Sequence, residues 1–458
     1  VHVSRDGGSS WTNVTARVPG APRLAYVSKV EPSHFDDGTV YVAFDSHRTG
    51  DYGTYLYTST DFGTTFRSIA ANLPKGEVVR TISEDQHNPD VLYVGTETGL
   101  WVSTTRGREW SRVRANLPTV PVYEITQHPR DNAMILATHG RGIWILDDMA
   151  PLQQYGTVAV GDGGVFPSAG AVLRLPMTDQ ERSYQGDMIF LGENPPLAAF
   201  VNYWLKDKPD SVRLEITDGA GAVVREIKGD TAKASRPAAG LNIARWDLRI
   251  QPIEMPKSDG GDVLGPLVLP ATYVATVFAN GRKIGTANVV VRADQESQIT
   301  SADRAANFAI EKELLTIIAH LNAAVAAVRR ADTLLGAIRP LLADTVKTPA
   351  RYRASLDSLT RMLAPLKLKF AIVDEGEDIE FTPDMARGIV TNKVGGLSGT
   401  VSGFLAGPSS QDLRMLDEVR HEAPAAIAET NLLTGKLAEF VRQLVEAGIY
   451  PALPKPVK

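Results

Sequence analysis

A repeat of 44 residues is the feature that most restricts how this chain can fold. The tetrapeptide Ala-Asn-Leu-Pro begins at Ala71 and again at Ala115, and the segments that precede the two copies align along their length. A unit of about 40 to 45 residues with four short strands has the size of a β-propeller blade. An open β-sandwich is the alternative, but it does not require a constant period. We therefore predict propeller blades over residues 1–150.

The number of blades suggests a larger protein. A third copy of the repeat starts near residue 120 and matches only the first half of the unit, and residues 1–15 match the end of another copy. Together these segments give about three and a half blades, whereas a propeller closes with roughly four to eight. We expect the chain to be the C-terminal part of a longer polypeptide that supplies the other blades.

A different β pattern follows the repeat. Residues 151–195 are interpreted as a linker and first strands, rich in glycine and small residues. Residues 196–294 alternate apolar and polar side chains and contain hairpin turns at Asp-Gly-Ala-Gly and Ala-Asn-Gly-Arg. About seven strands in roughly 100 residues predict an immunoglobulin-like β-sandwich, with Trp246 in its core.

Residues 300–450 change to helical spacing, with apolar side chains three and four residues apart. We predict an antiparallel helical bundle in which Ser301 caps the first helix and Pro340 ends or bends it. A second amphipathic helix is expected near residues 351–366, and a third over residues 411–446, interrupted at Pro424. The acidic stretch at residues 374–380 is interpreted as a solvated loop, because it lacks the ligand spacing of an EF-hand. The predicted fold is thus multidomain, β then α.

Composition narrows the possible partners. The formal net charge is -5, from 48 basic and 53 acidic residues, so no nucleic-acid or anionic-membrane partner is indicated. The chain has no cysteine, which excludes disulfides and thiolate metal sites but leaves the compartment open. No transmembrane helix is expected, because no run of about 18 apolar residues was found in the sequence.

Three polar loops share the frame Ser-x-Asp-x-Gly-x-x-Trp/Phe. In such a frame a short polar side chain can bond nearby backbone N–H groups, the glycine can take a left-handed conformation, and the aromatic ring can pack into the blade. We interpret the loops as structural turns. Thr105 replaces the aspartate in the third copy, which fits a structural role. The matching residues are Ser4, Asp6, Gly8 and Trp11; Ser59, Asp61, Gly63 and Phe66; and Ser103, Gly107 and Trp110.

This frame resembles the Asp-box, or bacterial neuraminidase repeat, of sialidases, sortilin-type receptors and two-propeller xyloglucanases. The resemblance implies a structural box on the propeller face away from the ligand. The order of VGTETGLWVST, ATHGRGIWILDD and GLNIARWDLR, over essentially the whole chain, resembles the C-terminal half of exported bacterial proteins labelled sialidase-like or glycosyl hydrolase. The segment from GLNIARWDLR onward is also similar to the Ig-like module of flagellar hook-cap proteins. Together these resemblances imply an extracytoplasmic location.

Loops at the other end of the blades hold the candidate ligand-binding residues. If the boxes join third to fourth strands, the loops at residues 45–53, 96–99 and 139–142 lie on the opposite face. The alternative is that Arg141 pairs with a carboxylate such as Glu97 and only holds the last blade in place. The candidates are Asp45, His47, Arg48, Asp51, Tyr52, Glu97, His139 and Arg141.

Signals for catalysis are weak. A glycosidase needs two facing carboxyl groups, or a Tyr/Glu pair with an arginine cluster in the sialidase case. No spacing rule links the candidate carboxylates, no nucleophile motif is present, and the eight histidines lack ligand spacing, so we expect no metal or cofactor. The candidate carboxylates are Asp45, Asp51, Glu77 and Glu97.

Two functions remain open. The first is a non-catalytic exported binding or scaffold module that recognises a protein, peptide or glycan at the propeller face. The second is a glycoside hydrolase whose catalytic carboxylates lie mostly in blades outside this sequence. The helical bundle could pair with a second copy or lie back against the propeller, and the sequence does not decide between them.

Overall fold

The computed structural model describes residues 1–114, 116–174, 196–228, 237–257, 261–343, 349–372, 388–403 and 406–449. The chain divides into two compact units. The first contains Val1–Ala171, Ala198–Trp246 and Thr272–Val290. The second contains the described residues of 172–197, 247–271 and 291–458. The acidic stretch at residues 374–380 lies outside the described residues.

Four-stranded antiparallel sheets in simple meander order form the repeat, as in propeller blades. Each sheet is built from consecutive strands, so every connection is a short hairpin. The first sheet contains β3 (Tyr26–Pro32), β4 (Val40–Asp45), β5 (Tyr55–Ser59) and β6 (Arg67–Ser68). The second contains β7 (Val79–Glu84), β8 (Leu92–Thr96), β9 (Leu100–Ser103) and β10 (Ser111–Val113).

Incomplete sheets flank these two blades. On one side, β1 (His2–Val3) pairs with β2 (Thr12–Asn13). On the other, β11 (Val122–His128), β12 (Ala133–Thr138) and β13 (Ile143–Leu146) form a three-stranded sheet in the same meander order. The architecture is therefore propeller-like, with partial sheets before and after two full blades.

Neighbouring blades pack closely along their inner strands. The buried cluster between the first and second blades includes Leu56, Ile69, Ile82 and Trp110. Between the second and third blades, a Cβ atom at Gly95 would lie 2.5 Å from the carbonyl oxygen of Val122. Backbone meets backbone there, so only glycine fits.

A second group of strands follows two short helices, α1 (Ala150–Gln153) and α2 (Tyr155–Val158). The strands form a three-stranded sheet of order β14-β16-β19 and a five-stranded sheet of order β15-β21-β20-β17-β18. Trp246 is fully buried and packs edge-on against Tyr273, with ring centroids 5.1 Å apart. The expected core position of Trp246 is confirmed. Bounds are β14 (Gly163–Val165), β15 (Ala171–Leu173), β16 (Ala199–Leu205), β17 (Val212–Thr217), β18 (Val223–Lys228), β19 (Gly240–Trp246), β20 (Ala271–Ala279) and β21 (Arg282–Ala293).

Long helices make up most of the second unit. They are α3 (Ser301–Ile338), α4 (Ala350–Lys369), α5 (Val390–Gly403) and α6 (Ser410–Glu446). Their apolar stripes meet in one core that includes Leu314, Val328, Leu359, Leu397 and Leu433. This packing of one-sided apolar stripes gives a helical bundle.

Helix ends differ in detail from the sequence expectations. The cap of α3 is Thr300, not Ser301, because the Thr300 hydroxyl accepts from the Asp303 N–H and the Asp303 carboxylate accepts from the Thr300 N–H. Pro424 does not interrupt α6, which continues through it. Helix α5 was not predicted, because its glycines weaken the helical pattern.

The helical segment of residues 301–342 is long enough and apolar enough to cross a membrane, judged by length and composition alone. Core helices of bundles meet the same test, and here Leu314, Leu321 and Val328 are buried among the other helices. The long apolar stripe of α3 is thus used in the bundle core.

Candidate functional site

Strand pairing assigns the loops to two opposite ends of the blades. Val40 pairs with Ser59 and Phe44 with Tyr55 in the first blade, so the loop after Asp45 lies at the opposite end from the loop after Ser59. The second blade repeats this arrangement. We call the end that carries the loops at 45–53, 96–99 and 139–142 the upper end. The loops at 59–66 and 103–110 define the lower end.

At the lower end, Asp61 bonds only within its own loop. Its carboxylate accepts from the Thr65 N–H at 2.9 Å, the Thr65 hydroxyl at 2.7 Å and the Ser59 hydroxyl at 2.8 Å. The hydrogen bonds from Thr65, followed by that from Ser59, lower the pKa of Asp61 to about 2. Gly63 donates its N–H to Ser59 Oγ and takes a φ of 74°. These contacts hold the turn and leave the carboxylate engaged internally.

The other two loops follow the same plan with one difference each. In the third, the hydroxyl of Thr105 accepts from the Glu109 N–H at 3.0 Å, the bond that Asp61 makes to Thr65. In the first, Trp11 is 63% exposed, although its counterparts Phe66 and Trp110 are buried. Trp110 donates to the Ile69 carbonyl of the preceding blade. Trp11 instead donates its indole N–H to the Gly8 carbonyl of its own loop at 3.0 Å.

At the upper end, Arg80 of β7 joins two carboxylates. Its Nη1 donates to Asp45 Oδ2 at 2.5 Å, and its Nε and Nη2 donate to Glu97 Oε2 at 2.8 and 2.5 Å. Both Arg80 and Asp45 are buried, whereas Glu97 is 44% exposed. Asp45 belongs to the first blade and Glu97 to the second, so Arg80 also ties the blades together.

His47 completes the environment of Asp45. Its ring Nδ1 lies 2.6 Å from Asp45 Oδ1, and its backbone N–H donates to the same oxygen at 2.9 Å. Burial alone would raise the pKa of Asp45, but the hydrogen bonds from His47 and the charge of Arg80 together bring it below its ordinary value. Asp45 is therefore held as a carboxylate.

Tyr123 of β11 places an aromatic ring on this charge network. The Arg80 guanidinium lies over the ring, 4.8 Å from its centroid, and the His139 ring stacks at 5.2 Å with a tilt of 33°. Tyr123 remains 43% exposed. We call this group the Arg80 cluster; its members are Asp45, His47, Arg80, Glu97, Tyr123 and His139.

A β-bulge in each inner strand explains how these side chains reach the upper end. The pairing register shifts between Val27 and Lys29, between Val79 and Thr81, and between Val122 and Glu124. The intervening residues are Ser28, Arg80 and Tyr123. A bulge leaves its extra residue unpaired and redirects the side chain, and bulges are frequent beside active sites. Ser28 Oγ also donates to the Val79 carbonyl at 3.1 Å, which connects the first two bulges.

The remaining predicted residues lie apart from this cluster. Asp51 accepts from the Gly53 N–H and the Tyr55 hydroxyl, and buried Glu77 accepts from the hydroxyls of Thr96 and Thr98. Glu97, which the sequence offered as a partner for Arg141, pairs with Arg80. The other three candidates are exposed; they are Arg48, Tyr52 and Arg141.

Sequence reasoning missed Arg80 and Tyr123 because both lie inside strands, whereas candidates were sought in loops. One signal was present for Arg80: a charged residue within Val-Val-Arg-Thr-Ile, an otherwise apolar strand start. Such a residue is buried only when it is paired. Tyr123 carries no comparable signal, since aromatic residues are common in strands.

Within the described ranges, no three His, Asp or Glu side chains come together as a metal site. The pKa of Asp148, near α1, is raised by burial, and its carboxylate accepts from Asn202 at 2.8 Å. The other carboxylate oxygen of Asp148 accepts from the Ala150 N–H at 2.9 Å, so Asp148 joins the start of α1 to Asn202 of β16.

No family model and no curated protein matches the sequence. Solved structures that align with it include a GH74 enzyme of Niastella koreensis, at 14% identity and a TM-score of 0.23, covering 45% of this chain and 30% of that one. The GH74 xyloglucanase of Xanthomonas campestris aligns at 16% identity and 0.23, covering 58% and 37%. The extracellular domain of BT4673 from B. thetaiotaomicron aligns at 10% and 0.24, covering 62% and 33%.

The chain spans about a third of the length of these structures. TM-scores this low do not define a shared fold, so the propeller-like architecture rests on the strand order and registers described above.

Proposed function

We propose that the protein is an exported propeller module that binds a protein, peptide or glycan at its upper end. The observation that carries this proposal is the row of bulges in three successive inner strands. They bring Ser28, Arg80 and Tyr123 to one end of the blades, and a repeated irregularity that directs side chains to one place favours a binding surface.

The chemistry of the Arg80 cluster fits recognition. The guanidinium of Arg80 is already bonded to Asp45 and Glu97. Its role is therefore to hold the ring of Tyr123 in place rather than to bind a ligand itself. Exposed Tyr123 and His139, with the half-exposed carboxylate of Glu97, offer an aromatic surface beside an acceptor. Tyrosine is enriched at binding hot spots because it combines a large apolar face with a hydroxyl.

The finer assignment is part of the same proposal. The lower loops make the internal hydrogen bonds that the resemblance to Asp-box repeats implies, which supports that family and its extracytoplasmic location. The sheets joined by Trp246 and Tyr273 support an immunoglobulin-like sandwich. The sandwich and helices would then act as spacers that position the binding end.

The hydrolase alternative has less support at this site. A general acid in a glycosidase needs a raised pKa. Asp45 has a lowered pKa and both of its oxygens are engaged. Asp45 therefore does not fit the role of the general acid.

The test is a glycan- and peptide-array screen with the full chain, followed by titration of the best ligand. Tyr123→Ala should weaken binding by about 1 to 3 kcal/mol, which is roughly fivefold to 150-fold. Tyr155→Ala is the matched control, since it removes an exposed tyrosine of α2, away from the bulges. Glu97→Gln and Arg141→Ala test the loops at 96–99 and 139–142.

A ligand whose affinity is unchanged by Tyr123→Ala, Glu97→Gln and Arg141→Ala would place binding elsewhere. A parallel hydrolysis screen addresses the alternative. Turnover of a glycan by this chain, lost in Glu97→Gln, would replace the binding proposal with the enzymatic one.

A further inference from the structure

The core stripe of α3 becomes polar in its first turns. Arg304, Asn307, Phe308 and Glu311 are spaced three and four residues apart, so they lie on one face of the helix. From Leu314 onward, the same stripe of α3 consists of residues of the bundle core. Charged residues at core positions of an otherwise apolar stripe lower stability, so their presence here needs an explanation.

This polar face lines a cavity of about 40 Å³ in the second unit. A single water molecule needs roughly 10 to 15 Å³ measured in this way, so the cavity has room for a small molecule. The opposite walls come from Arg174, after β15, and from the segment after β19. Their lining residues include Arg249, Leu267 and Leu269.

Arg304 is the unusual member of the lining. It is only 7% exposed, and its Nε and Nη2 are buried without a hydrogen-bond partner among the described residues. Removing a guanidinium from water without a partner costs several kcal/mol in general. Arg80, by contrast, uses the same two nitrogens on Glu97.

Other arginines of this chain show what fits this pair of donors. Arg420 donates from Nε to Glu313 Oε1 at 2.8 Å and from Nη2 to Glu313 Oε2 at 2.9 Å. Arg130 binds Asp131 in the same way, at 2.7 and 2.8 Å. The parallel N–H groups on this side of a guanidinium match the two oxygens of a carboxylate.

The charges and the apolar residues of the cavity lining further restrict the chemical class of ligand that it can bind. Among the described residues, the cavity lining contains the arginines at 174, 249 and 304 and one carboxylate, Glu311, so positive groups outnumber negative ones there. Leu173, Leu267 and Phe308 add apolar wall, which suits a hydrocarbon group better than an inorganic anion. An organic anion with a short apolar tail meets both conditions.

We propose that this cavity binds a small organic acid, with its carboxylate on Nε and Nη2 of Arg304 and its apolar tail against Phe308 and the leucines. The site is separate from the Arg80 cluster and does not depend on the function proposed for it. It gives the second unit a ligand of its own.

Isothermal titration of the full chain with propionate tests the proposal. Propionamide has the same shape without the charge, and sulfate at equal ionic strength has charge without the tail. Propionate should bind saturably, and the two comparison compounds should not. Arg304→Met should weaken propionate binding at least tenfold, and Arg304→Lys severalfold, because lysine keeps the charge but lacks the paired donors.

Arg329→Met is the control, since it makes the same substitution at an exposed position of α3. It should leave the titration unchanged. Three results would overturn the proposal: no saturable binding of propionate up to tens of millimolar, equal binding of sulfate, or unchanged binding in both Arg304 variants. The lysine variant keeps the test valid if the methionine variant does not fold.

Discussion

Arg80 and Arg304 are both more than nine-tenths buried, yet their surroundings differ completely. Arg80 in the blades has two carboxylates and an aromatic ring around it, whereas Nε and Nη2 of Arg304 in the helical unit have no partner among the described residues. The comparison teaches that burial alone does not show whether a charge stabilises a fold. The partners of the charge decide this. Substitution of Arg80 should therefore lower the free energy of unfolding, whereas substitution of Arg304 should leave it unchanged or raise it.

The largest effect is expected for Arg80→Met. Removing the cation leaves Asp45 buried and without its counter-ion, which should lower the free energy of unfolding by about 3 to 5 kcal/mol. Most of this loss comes from Asp45, because Glu97 is partly in water. Urea denaturation followed by tryptophan fluorescence measures it, since all six tryptophans lie in residues 1–246.

Arg48→Met serves as the control for this measurement, because Arg48 is exposed at the same end of the blades. Its effect should stay within about 0.5 kcal/mol. A loss below 1 kcal/mol for Arg80→Met would mean that the pairs contribute little, and the contrast with Arg304 would fail.

For Arg304→Met the expected sign is reversed. Replacing a buried cation whose Nε and Nη2 have no partner among the described residues by an apolar side chain of similar length should not destabilise the helical unit. The unit should be as stable as before or more stable, by about 1 kcal/mol or more. Circular dichroism at 222 nm follows this unit, because it holds the long helices. A clear loss of stability without added carboxylate would indicate that Arg304 is a structural residue.

The pH dependence of stability at Glu311 gives a further test of the environment of Arg304. Burial raises its pKa above the usual 4.5, with a smaller opposing effect of Arg249, so the folded state holds the proton more strongly than the unfolded chain does. Stability from this group is present below pH 4.5 and is lost as pH rises through the folded pKa. Glu311→Gln should remove that decline from the thermal midpoint of the helical unit.

Glu313, two residues away, should behave oppositely. The hydrogen bond from Arg420 lowers its pKa, so its contribution is present above pH 4.5 and is lost as pH falls through the folded value. If Glu311→Gln and Glu313→Gln changed the pH profile in the same direction, the assigned environment of Glu311 would be wrong.

The smallest effect is expected for Asp61→Ala, at the exposed lower end of the blades. The variant loses the hydrogen bonds to Thr65 and Ser59, so tryptophan fluorescence should show a modest loss of stability near neutral pH. Because the folded pKa is about 2 against an ordinary 3.8, the wild-type advantage should disappear as pH falls from about 4 to 2.

Asp207→Ala, at another exposed aspartate in the first unit, provides the matched comparison, and its effect on stability near neutral pH should stay within about 0.5 kcal/mol. Ligand binding at the upper end should survive in Asp61→Ala. Loss of binding in a fully folded Asp61→Ala protein would contradict the structural role of the loop.

The sequence allowed the blade-like sheets to be predicted because the period, the turns and the loops of the lower end all depend on local chemistry. Asp61 shows this directly: every hydrogen bond of its carboxylate is made within six residues. The separation of upper from lower loops follows from the same strand order. Such features need no knowledge of distant contacts.

The Arg80 cluster could be predicted only in part. Asp45, His47, Glu97 and His139 were among the candidates because polar residues in loops attract attention. Arg80, which joins them, was not among the candidates. Its bulge and its pairing with Asp45, 35 residues away, depend on how the blades pack. The cavity beside Arg304 was missed for the same reason, as its walls come from segments far apart in sequence.

The three bulges also have a consequence for how recognition can change. An extra residue in a bulge takes no part in the backbone pairing of the ladder, so the pairing register does not set its identity. The chain already places serine, arginine and tyrosine at these equivalent positions. Of the three, Tyr123 is the replaceable position, because its ring is 43% exposed, whereas Arg80 is held by Asp45 and Glu97. One substitution at Tyr123 can alter what the surface selects while the strands on either side keep their register.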